Sequence, residues 1–486
     1  MHLFFTDVQK VRKVGEIPGL DAVELSGLLA GWAPAVGTPI VLSESMTPVE
    51  PLCSWFRELG LDRRSVKTMR AYAYTVVMLL RFLLARGANL ASATEADLQE
   101  FRRWRLDDAE QTIGEAAWDR DAAAIGCLYD FMVRQGIVER RPWRSAGRGR
   151  RSLSNGVGRD LRVRHMELEQ YLFLRDVGFG GLAPGAGLDE GFRGWRPHRN
   201  RAACELALLT GMRIQEWSTV LLPELGLLDG GRPRAVELEL GACAKFGHPR
   251  TVYVPADAVD VLDPYLLLER PEIVEKAQPT LRRRHRDLFV VSRLEADGAK
   301  VRGVLDGGMV NRSIREMDPR LRRIAVRETG DGLDPLALFV GTGGRMLTAS
   351  GWDRVRWAAW NRMKAHADEE SAGLVPRRCW VFHDLRHTFA LRLLIYLTEV
   401  ALDEYRRRRV PMSTLLDHMS GNPLLQVQRR LGHASPATTY RYIRYLKDPM
   451  RDVHEAFCSW TAAGGATYAE IARQLMTTRD GHATQG

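Results

Sequence analysis

The stretch His383-Asp-Leu-Arg386-His387-Thr-Phe-Ala390 is the most informative part of this chain. It opens a segment whose apolar residues recur every four positions, at Leu385, Phe389, Leu393 and Leu397. This is the spacing of one face of an α-helix. Because His383 and Arg386 are three residues apart, they lie on one side of the helix start. We therefore predict a packed helix that presents an imidazole and a guanidinium together.

Other stretches carry related chemistry, in the order Thr210-Gly-Met-Arg213-Ile-Gln-Glu216, Lys245, Leu431-Gly-His433 and Tyr442. Two guanidinium groups suit the non-bridging oxygens of a phosphate and the added negative charge of a pentacoordinate phosphorus. Glu216 is placed to orient the guanidinium of Arg213. A tyrosine hydroxyl can attack phosphorus when neighbouring cations and imidazoles stabilise its oxyanion or take its proton. The pattern indicates a site that breaks a phosphodiester.

Each of these residues also has an ordinary structural interpretation. Arg386 and His383 taken singly are more often helix caps or donors to backbone carbonyls. Most tyrosines are packing residues, and Tyr440 and Tyr445 compete with Tyr442 for the nucleophilic role. The sequence shows neither carboxylates at metal-site spacing nor a phosphate-binding Gly-Lys-Ser/Thr loop, so the chemistry is expected to need neither metal nor ATP.

Length and charge agree with a large partner of negative charge. The 486 residues are enough for two or three domains, and 70 Lys and Arg face 60 Asp and Glu. That excess favours nucleic acid. The six cysteines are scattered without a C-x-x-C pair, which predicts neither zinc site nor disulfide framework. No apolar run approaches the roughly 20 residues that span a bilayer, so we expect a cytoplasmic, nucleoid-associated protein without a membrane partner.

Residues 1–159 divide into three parts by composition. Residues 1–44 hold scattered Gly and Pro and predict an irregular extension of unknown role. Residues 45–143 show helical periodicity in four segments and predict a compact helical domain. Lys67 and Arg70, near the start of the second segment, are candidate DNA contacts, although such charges usually lie on a solvated face.

Residues 144–159 follow as a basic, breaker-rich linker. The cations of this region are candidate phosphate contacts, and they are Arg140, Arg141, Arg144, Arg148, Arg150 and Arg151. The alternative is a solvated tether that binds nothing.

Residues 160–447 mix helices with short strands. Alternation with period two in 235–240 and 250–255 predicts an antiparallel hairpin, with Lys245 at or beside its turn. A possible strand covers 288–291, and helices are expected over 352–363, 385–397 and 424–431. The fold class is therefore mainly α with a small antiparallel β-sheet. The tail, 448–486, has the apolar spacing of two short amphipathic helices.

In order and spacing, these motifs resemble those of the tyrosine recombinase, or phage integrase, family. The resemblance covers roughly Thr47 to Lys447 and implies a helical, SAM-like core-binding domain followed by a mixed α/β catalytic domain. It implies that Arg213 and Arg386 clamp the phosphate, that Lys245 is the general acid, and that His383 and His433 assist proton transfer. Tyr442, at the expected offset from Leu-Gly-His, would form a 3′-phosphotyrosine. Glu216 and His387 would have supporting roles.

The resemblance further implies a two-domain clamp around double-stranded DNA, assembled as a homo-tetramer on specific paired sites, either alone or with a sister recombinase or a DNA-bending factor. The tail would then dock on a neighbouring subunit or on its own domain. A type IB topoisomerase, which relaxes supercoils as a monomer, and a non-catalytic DNA-binding protein of the same fold are the alternatives.

The chain departs from the family pattern at two places. The distance from His383 to His433 indicates an insertion around Tyr396 to Met419. The turn after Lys245 reads Phe-Gly-His-Pro instead of a Gly-rich and Lys-rich sequence, although Arg250 keeps its expected position. His248 and His285 are the candidates to replace Lys245.

Overall fold

The computed structural model describes residues 1–6, 37–62, 64–108, 112–143, 164–183, 196–231, 233–244, 247–295, 299–408, 422–433, 435–440 and 442, with shorter pieces in 145–153 and 187–194. It divides into two compact units, Met1–Asp160 and Leu161–Gly486. The domain boundaries predicted from composition remain predictions beyond this division.

Four helices form the first unit: α1 (Leu52–Leu61), α2 (Val66–Ala85), α3 (Glu95–Arg103) and α4 (Glu115–Arg134). Ser65 caps α2 by accepting a hydrogen bond from the backbone N–H of Thr68. Thr94 caps α3 in a capping box with Asp97. The helices bury one core, whose largest members include Trp55, Phe56, Phe101, Trp118 and Tyr129. The expected helical domain is therefore present.

The N-terminal residues differ from the expected irregular extension. Strand β1 (His2–Phe5) pairs antiparallel with β2 (Pro39–Leu42), and Val41 is fully buried in the helical core. Residues 7–36, between the two strands, lie outside the described part. The strands escaped detection because each has only four residues, and their pairing joins positions far apart in the sequence.

One helix of this unit, Val66–Ala85, is long and apolar enough to cross a membrane by length and composition. Its buried residues recur along one face, from Met69 through Ala73 and Val76 to Leu83, and they pack in the core of the four helices. This is the pattern of an amphipathic core helix.

Two short strands, β3 (Ser145–Ala146) and β4 (Arg150–Arg151), pair antiparallel near the end of the first unit.

The second unit begins with short elements. Its helices then begin with α5 (Leu168–Phe173), α6 (Pro197–Thr210) and α7 (Ile214–Trp217). The predicted hairpin follows as β5 (Val236–Leu240) and β6 (Arg250–Val254), paired antiparallel from Val236 opposite Val254 to Leu240 opposite Arg250. The short helix α8 (Ala256–Asp260) and the longer α9 (Arg270–Arg283) come next.

A five-stranded sheet occupies the middle of the second unit. Its strands are β7 (Phe289–Leu294), β8 (Lys300–Leu305), β9 (Gly308–Ser313), β10 (Ala325–Thr329) and β11 (Gly332–Pro335), in the order β11-β10-β7-β8-β9. The pair β7–β10 is parallel and the others are antiparallel. Helix α10 (Pro319–Ile324) leads into β10. The strand predicted over 288–291 corresponds to the start of β7. The other four strands were not predicted, because basic residues and glycines interrupt their apolar pattern.

Helices α11 (Ala349–His366), α12 (Phe382–Arg408), α13 (Pro423–Leu431) and α14 (Pro436–Tyr440) complete the described chain. The predicted helices of this region are all present. Helix α12 is longer than expected, because it continues into the predicted insertion as far as Arg408. The rest of that insertion and the tail lie outside the described residues.

The core of the second unit is built around aromatic side chains. Trp217, Trp352 and Phe382 contact one another, with ring centroids 4.8 to 5.9 Å apart. These three rings join the end of α7, the start of α11 and the first residue of α12 in one rigid cluster. The cluster fixes the beginning of α12, where the motif residues lie.

Candidate active site

The end of α6 places Arg213. Gly211 ends the helix at φ +62°, and a Cβ there would lie 2.3 Å from a ring carbon of Phe389. Glycine is thus required both by the left-handed backbone and by the close approach of α12. Arg213 then begins α7, and its backbone N–H donates to Glu216 Oε2 at 2.7 Å. Its guanidinium donates to Glu216 Oε1 at 3.1 Å, as the sequence predicted for this pair.

A second guanidinium contacts the same carboxylate. Arg250, the first residue of β6, donates to both oxygens of Glu216 at 2.8 and 2.5 Å. Glu216 is only 1% exposed. Burial alone raises the pKa of Glu216, but the hydrogen bonds and charge of Arg250, together with Arg213, hold that pKa below its ordinary value. The sequence places Arg250 on the hairpin but does not indicate its contact with Glu216. Glu216 and Arg250 are too far apart in the sequence for a local pattern to connect them.

Arg386 is buried in the interior instead of lying on an open helix face. Its side chain is among the largest with under 2% exposure, whereas His383, one turn earlier, is exposed. One guanidinium nitrogen donates to the carbonyl of Gly211 at 2.5 Å and the other donates to the carbonyl of Leu431. Both residues lie at the start of α12, as their spacing predicted, but α6 and α13 pack over Arg386 and leave His383 exposed.

Among the described residues, no carboxylate forms an ion pair with Arg386, although the charge of Glu216 acts on it from a greater distance. Burial, followed by the positive charge of Arg213, lowers the pKa of Arg386 to about 9, so the group is still protonated at neutral pH. The two carbonyl acceptors use two of its five N–H donors. The remaining donors and the positive charge suit an anion.

His433 lies beside these cations. Its Nδ1 atom is 3.0 Å from the hydroxyl of Thr439. Burial, followed by the charges of Arg386 and Arg213, lowers the pKa of His433 to about 3. The imidazole is therefore neutral at pH 7. Gly432 precedes it at φ +61°, and a Cβ there would lie 2.7 Å from Cδ of Arg250, so the Leu-Gly-His sequence needs glycine at this point.

Tyr442 lies close to a histidine of each of the two histidine motifs. Its hydroxyl lies 2.8 Å from Nδ1 of His387, and its ring is nearly parallel to that of His433, at 13° and 6.3 Å. The ring of His387 in turn lies 4.5 Å from that of His383. Tyr442 is 2% exposed and packs against apolar residues of α12 and α13, whereas Tyr440 is 54% exposed. The geometry favours Tyr442 over Tyr440.

The structure thus brings together most of the residues selected from sequence: Arg213, Glu216, His383, Arg386, His387, His433 and Tyr442. Lys245 and Tyr445 lie outside the described residues. Of the two candidates to replace the lysine, His248 is exposed near the hairpin turn, and His285 lies 3.5 Å from Glu328. The catalytic roles of all these residues stay predictions.

The residues predicted to contact DNA lie in different environments. Lys67, Arg70 and Arg140 are exposed, although the guanidinium of Arg70 also lies 4.5 Å from the ring centre of Phe5. Arg141 pairs with Asp130 within its own unit. Arg144 and Arg148 lie outside the described residues, and for Arg150 and Arg151 only the backbone is described. Among the described residues no cluster of His, Cys, Asp or Glu is arranged to hold a metal ion.

Part of the first unit matches a known protein family. Residues 52–136 match the family described as "Phage integrase, N-terminal SAM-like domain". This range spans α1 to α4. No curated protein matches the chain.

Solved structures of recombinases are also similar. XerH site-specific recombinase bound to palindromic difH substrate is 17% identical, with 83% of this chain and 84% of that chain covered and a TM-score of 0.42. The Tn1549 transposon integrase in complex with circular intermediate DNA is 12% identical, with 87% and 98% covered and a TM-score of 0.40. XerA recombinase is 15% identical, with 83% and 95% covered and a TM-score of 0.29.

The four-helix unit is a SAM-like domain of the phage integrase type. For residues 52–136 this match agrees with the helical, SAM-like domain that the resemblance in the sequence implied.

Proposed function

We propose that this chain cleaves and rejoins DNA strands through Tyr442. The hydrogen bond between the Tyr442 hydroxyl and His387 is the observation that carries the proposal. A buried phenol placed against an imidazole, with two guanidinium groups close by, has both a proton acceptor and an electrostatic stabiliser for a phosphorus centre. The packing of Tyr442 between α12 and α13 holds this arrangement.

In the proposed cleavage step, the oxygen of Tyr442 attacks a DNA phosphorus. A P–O bond to the enzyme forms and the bond to the 5′ oxygen breaks, which leaves a 3′-phosphotyrosine and a free 5′ hydroxyl. The phenol proton passes to His387. The 5′ oxygen takes its proton from a general acid, for which Lys245 remains the predicted donor. Attack by a 5′ hydroxyl then reverses the step, so rejoining needs no external energy source.

The arginines act on the phosphate. Arg213 and Arg386 supply N–H donors to the non-bridging oxygens, since each keeps donors beyond the hydrogen bonds found within the described residues. Glu216, held by Arg250, positions Arg213 through hydrogen bonds. Neither Glu216 nor Arg250 needs to touch the substrate. Neutral His433 can donate or accept a hydrogen bond at the same phosphate through the ring nitrogen that does not face Thr439.

DNA has to open the site before attack. With its side chain 2% exposed, Tyr442 does not meet solvent, and a phosphate can reach its oxygen only after the covering residues shift. This requirement ties cleavage to DNA binding, because the unbound site keeps its nucleophile enclosed. The proposal extends to assembly as a tetramer on paired DNA sites within the cytoplasm, where the DNA substrate is present.

Covalent trapping tests the proposal. Wild-type protein, Tyr442→Phe and the matched control Tyr440→Phe are incubated with fragments of the DNA flanking the gene, denatured in detergent, and the attached DNA is sequenced. Adducts at one recurring position with wild type and Tyr440→Phe, and none with Tyr442→Phe, are expected. Equal trapping by Tyr442→Phe would assign the nucleophile elsewhere.

Further assays separate strand exchange from its alternatives. DNA binding without any adduct would favour a non-catalytic binder. Relaxation of supercoiled plasmid by a monomer, without exchange between two sites, would favour the type IB topoisomerase reaction.

A further inference from the structure

The open edge of the five-stranded sheet is a hairpin that the proposed active site does not use. Strands β8 and β9 pair from Lys300 opposite Ser313 to Leu305 opposite Gly308, and β9 is the edge strand. The two residues of its turn, Asp306 and Gly307, both have positive φ, at 51° and 77°. Such a turn matches the twist of paired strands and gives a regular two-stranded ribbon.

The two faces of this ribbon differ in polarity. Val301 is buried in the core of the unit, and the strand alternates so that Lys300 and Arg302 are exposed on the opposite face. Cross-strand pairing places Arg293 of β7 and Asn311 of β9 on either side of Arg302. The exposed face therefore carries a row of two guanidinium groups and one amide, followed by Lys300.

The charge on these strands has one sign. Strands β7, β8 and β9 contain four basic residues and no acidic residue, the basic ones being Arg293, Lys300, Arg302 and Arg312. Within the described part of the chain, none of the four is paired with a carboxylate. Nearby arginines are paired, as Arg315 is with Glu239 and Arg322 with Glu224.

The placement of Arg293 directly opposite Arg302 is unfavourable in the protein alone. Like charges on opposing positions of neighbouring strands repel each other, and here no acidic residue within the strands compensates them. A polyanion lying on the face would remove this repulsion. The amide of Asn311 and the hydroxyl of Ser313, in the same two rows, are groups that hydrogen-bond to nucleic-acid phosphates and base edges.

We propose that the β8–β9 hairpin, with Arg293, is a second DNA-contacting surface of this protein. A two-stranded ribbon is narrow enough to lie along or within the major groove of a duplex, which is about 12 Å wide. The basic side chains contact phosphates and supply affinity. This inference rests on the proposed function in one respect, because both assume that the partner is DNA. The hairpin itself contributes no group to the proposed reaction.

A charge-matched comparison tests the surface. Lys300→Gln/Arg302→Gln removes two charges from the hairpin, and Lys276→Gln/Lys364→Gln removes two charges from α9 and α11. The full-length proteins are first compared by thermal unfolding, to establish that all are folded. Binding of a labelled duplex is then measured by fluorescence anisotropy over a series of salt concentrations.

The hairpin variant should show a weaker salt dependence. Two lost phosphate contacts reduce the slope of log affinity against log salt by about 1.8, which makes the loss of affinity between 50 and 200 mM salt roughly twelvefold smaller than in wild type. The control should keep the wild-type slope. Equal slopes and affinities for the hairpin variant and the control would overturn the proposal.

Covalent trapping separates this inference from the proposed function. If the hairpin variant binds DNA like the control while Tyr442 still forms adducts, the hairpin proposal fails and the function stands. If Tyr442 forms no adduct while the hairpin variant still has a reduced slope, the proposed function fails and the second surface stands. Displacement of DNA by polyglutamate at equal charge concentration would identify a general polyanion surface and overturn the assignment to DNA.

Discussion

The hydroxyl of Tyr442 and the Nδ1 atom of His387 lie 2.8 Å apart, although 54 residues separate them in the chain. The contact forms because α13 packs on α12, and the turn after α14 returns Tyr442 to the same two helices. The proposed nucleophile and its proton acceptor therefore come together only when the last described helices are correctly packed.

Removal of the His387 imidazole should slow formation of the covalent adduct. His387→Gln is expected to reduce the cleavage rate by about 10²-fold, in the range of a single general base, because a glutamine amide does not take up the phenol proton. Adduct formation in a quenched time course gives the rate. The variant rate should also rise more steeply with pH than the wild-type rate.

The exposed His2→Gln, in the first unit, is the control and should cleave at the wild-type rate. A wild-type rate and pH profile for His387→Gln would remove His387 from the mechanism and leave the hydrogen bond as a packing feature.

Glu216 should matter for stability as well as for cleavage. Glu216→Gln leaves Arg213 and Arg250 without their buried carboxylate, and loss of one partner from such an ion pair costs about 3 kcal/mol. Denaturant unfolding gives the free energy. Glu239→Gln, which breaks the exposed pair with Arg315, should cost no more than about 1 kcal/mol. Equal effects of the two changes would contradict the central role of Glu216.

The same carboxylate predicts a pH dependence. The pKa of Glu216 is lowered in the folded protein, so its contribution to stability is complete above the unfolded value of about 4.3 and is lost as the pH falls through the lower folded value. Glu216→Gln should therefore lose less stability than wild type as the pH falls below about 4.3. Parallel unfolding curves for the two proteins over that range would show that Glu216 is not so perturbed.

His433 should give an acid sensitivity of the same direction, beginning at a higher pH. Its pKa of about 3 in the folded protein lies below the unfolded value of about 6.5, so the native state disfavours its protonation. Its contribution to stability is present above pH 6.5 and falls as the pH drops toward the folded value. The imidazole resonances of His433 in an NMR titration should stay in the neutral form through pH 5. A titration midpoint near 6.5 would refute the burial of this ring among the cations.

Gly432 should not tolerate a side chain. Gly432→Ala combines a left-handed backbone with a Cβ 2.7 Å from Cδ of Arg250, so Arg250 has to move away from Glu216. The control Gly230→Ala has φ +80° and open space around its Cβ, so it isolates the backbone cost of about 1–2 kcal/mol. Gly432→Ala should be less stable than this control by calorimetry and should cleave more slowly. Matching stability for the two would mean that Arg250 adapts freely.

The local patterns of the sequence determined the helices and the identity of the candidate site. Apolar spacing indicated four helical segments in residues 45–143 and located α11 and α12, and the alternation of β5 and β6 located the hairpin, because each pattern is complete within a few turns or strand pairs. The order of Arg213, Glu216, His383, Arg386, His433 and Tyr442 was sufficient to select them. These residues carry distinctive chemistry at short spacings.

Tertiary structure alone decided how those residues face each other. The role of Arg250, the burial of Arg386 against the carbonyls of Gly211 and Leu431, and the low pKa of His433 depend on contacts between distant segments. The sheet of five strands was also hidden, because its parallel β7–β10 pair joins segments more than 30 residues apart and its strands carry basic residues on their open face. Periodicity reports which side of an element is apolar. It does not report which partner covers that side, and that partner sets the burial, the charge environment and the chemistry of every group in the site.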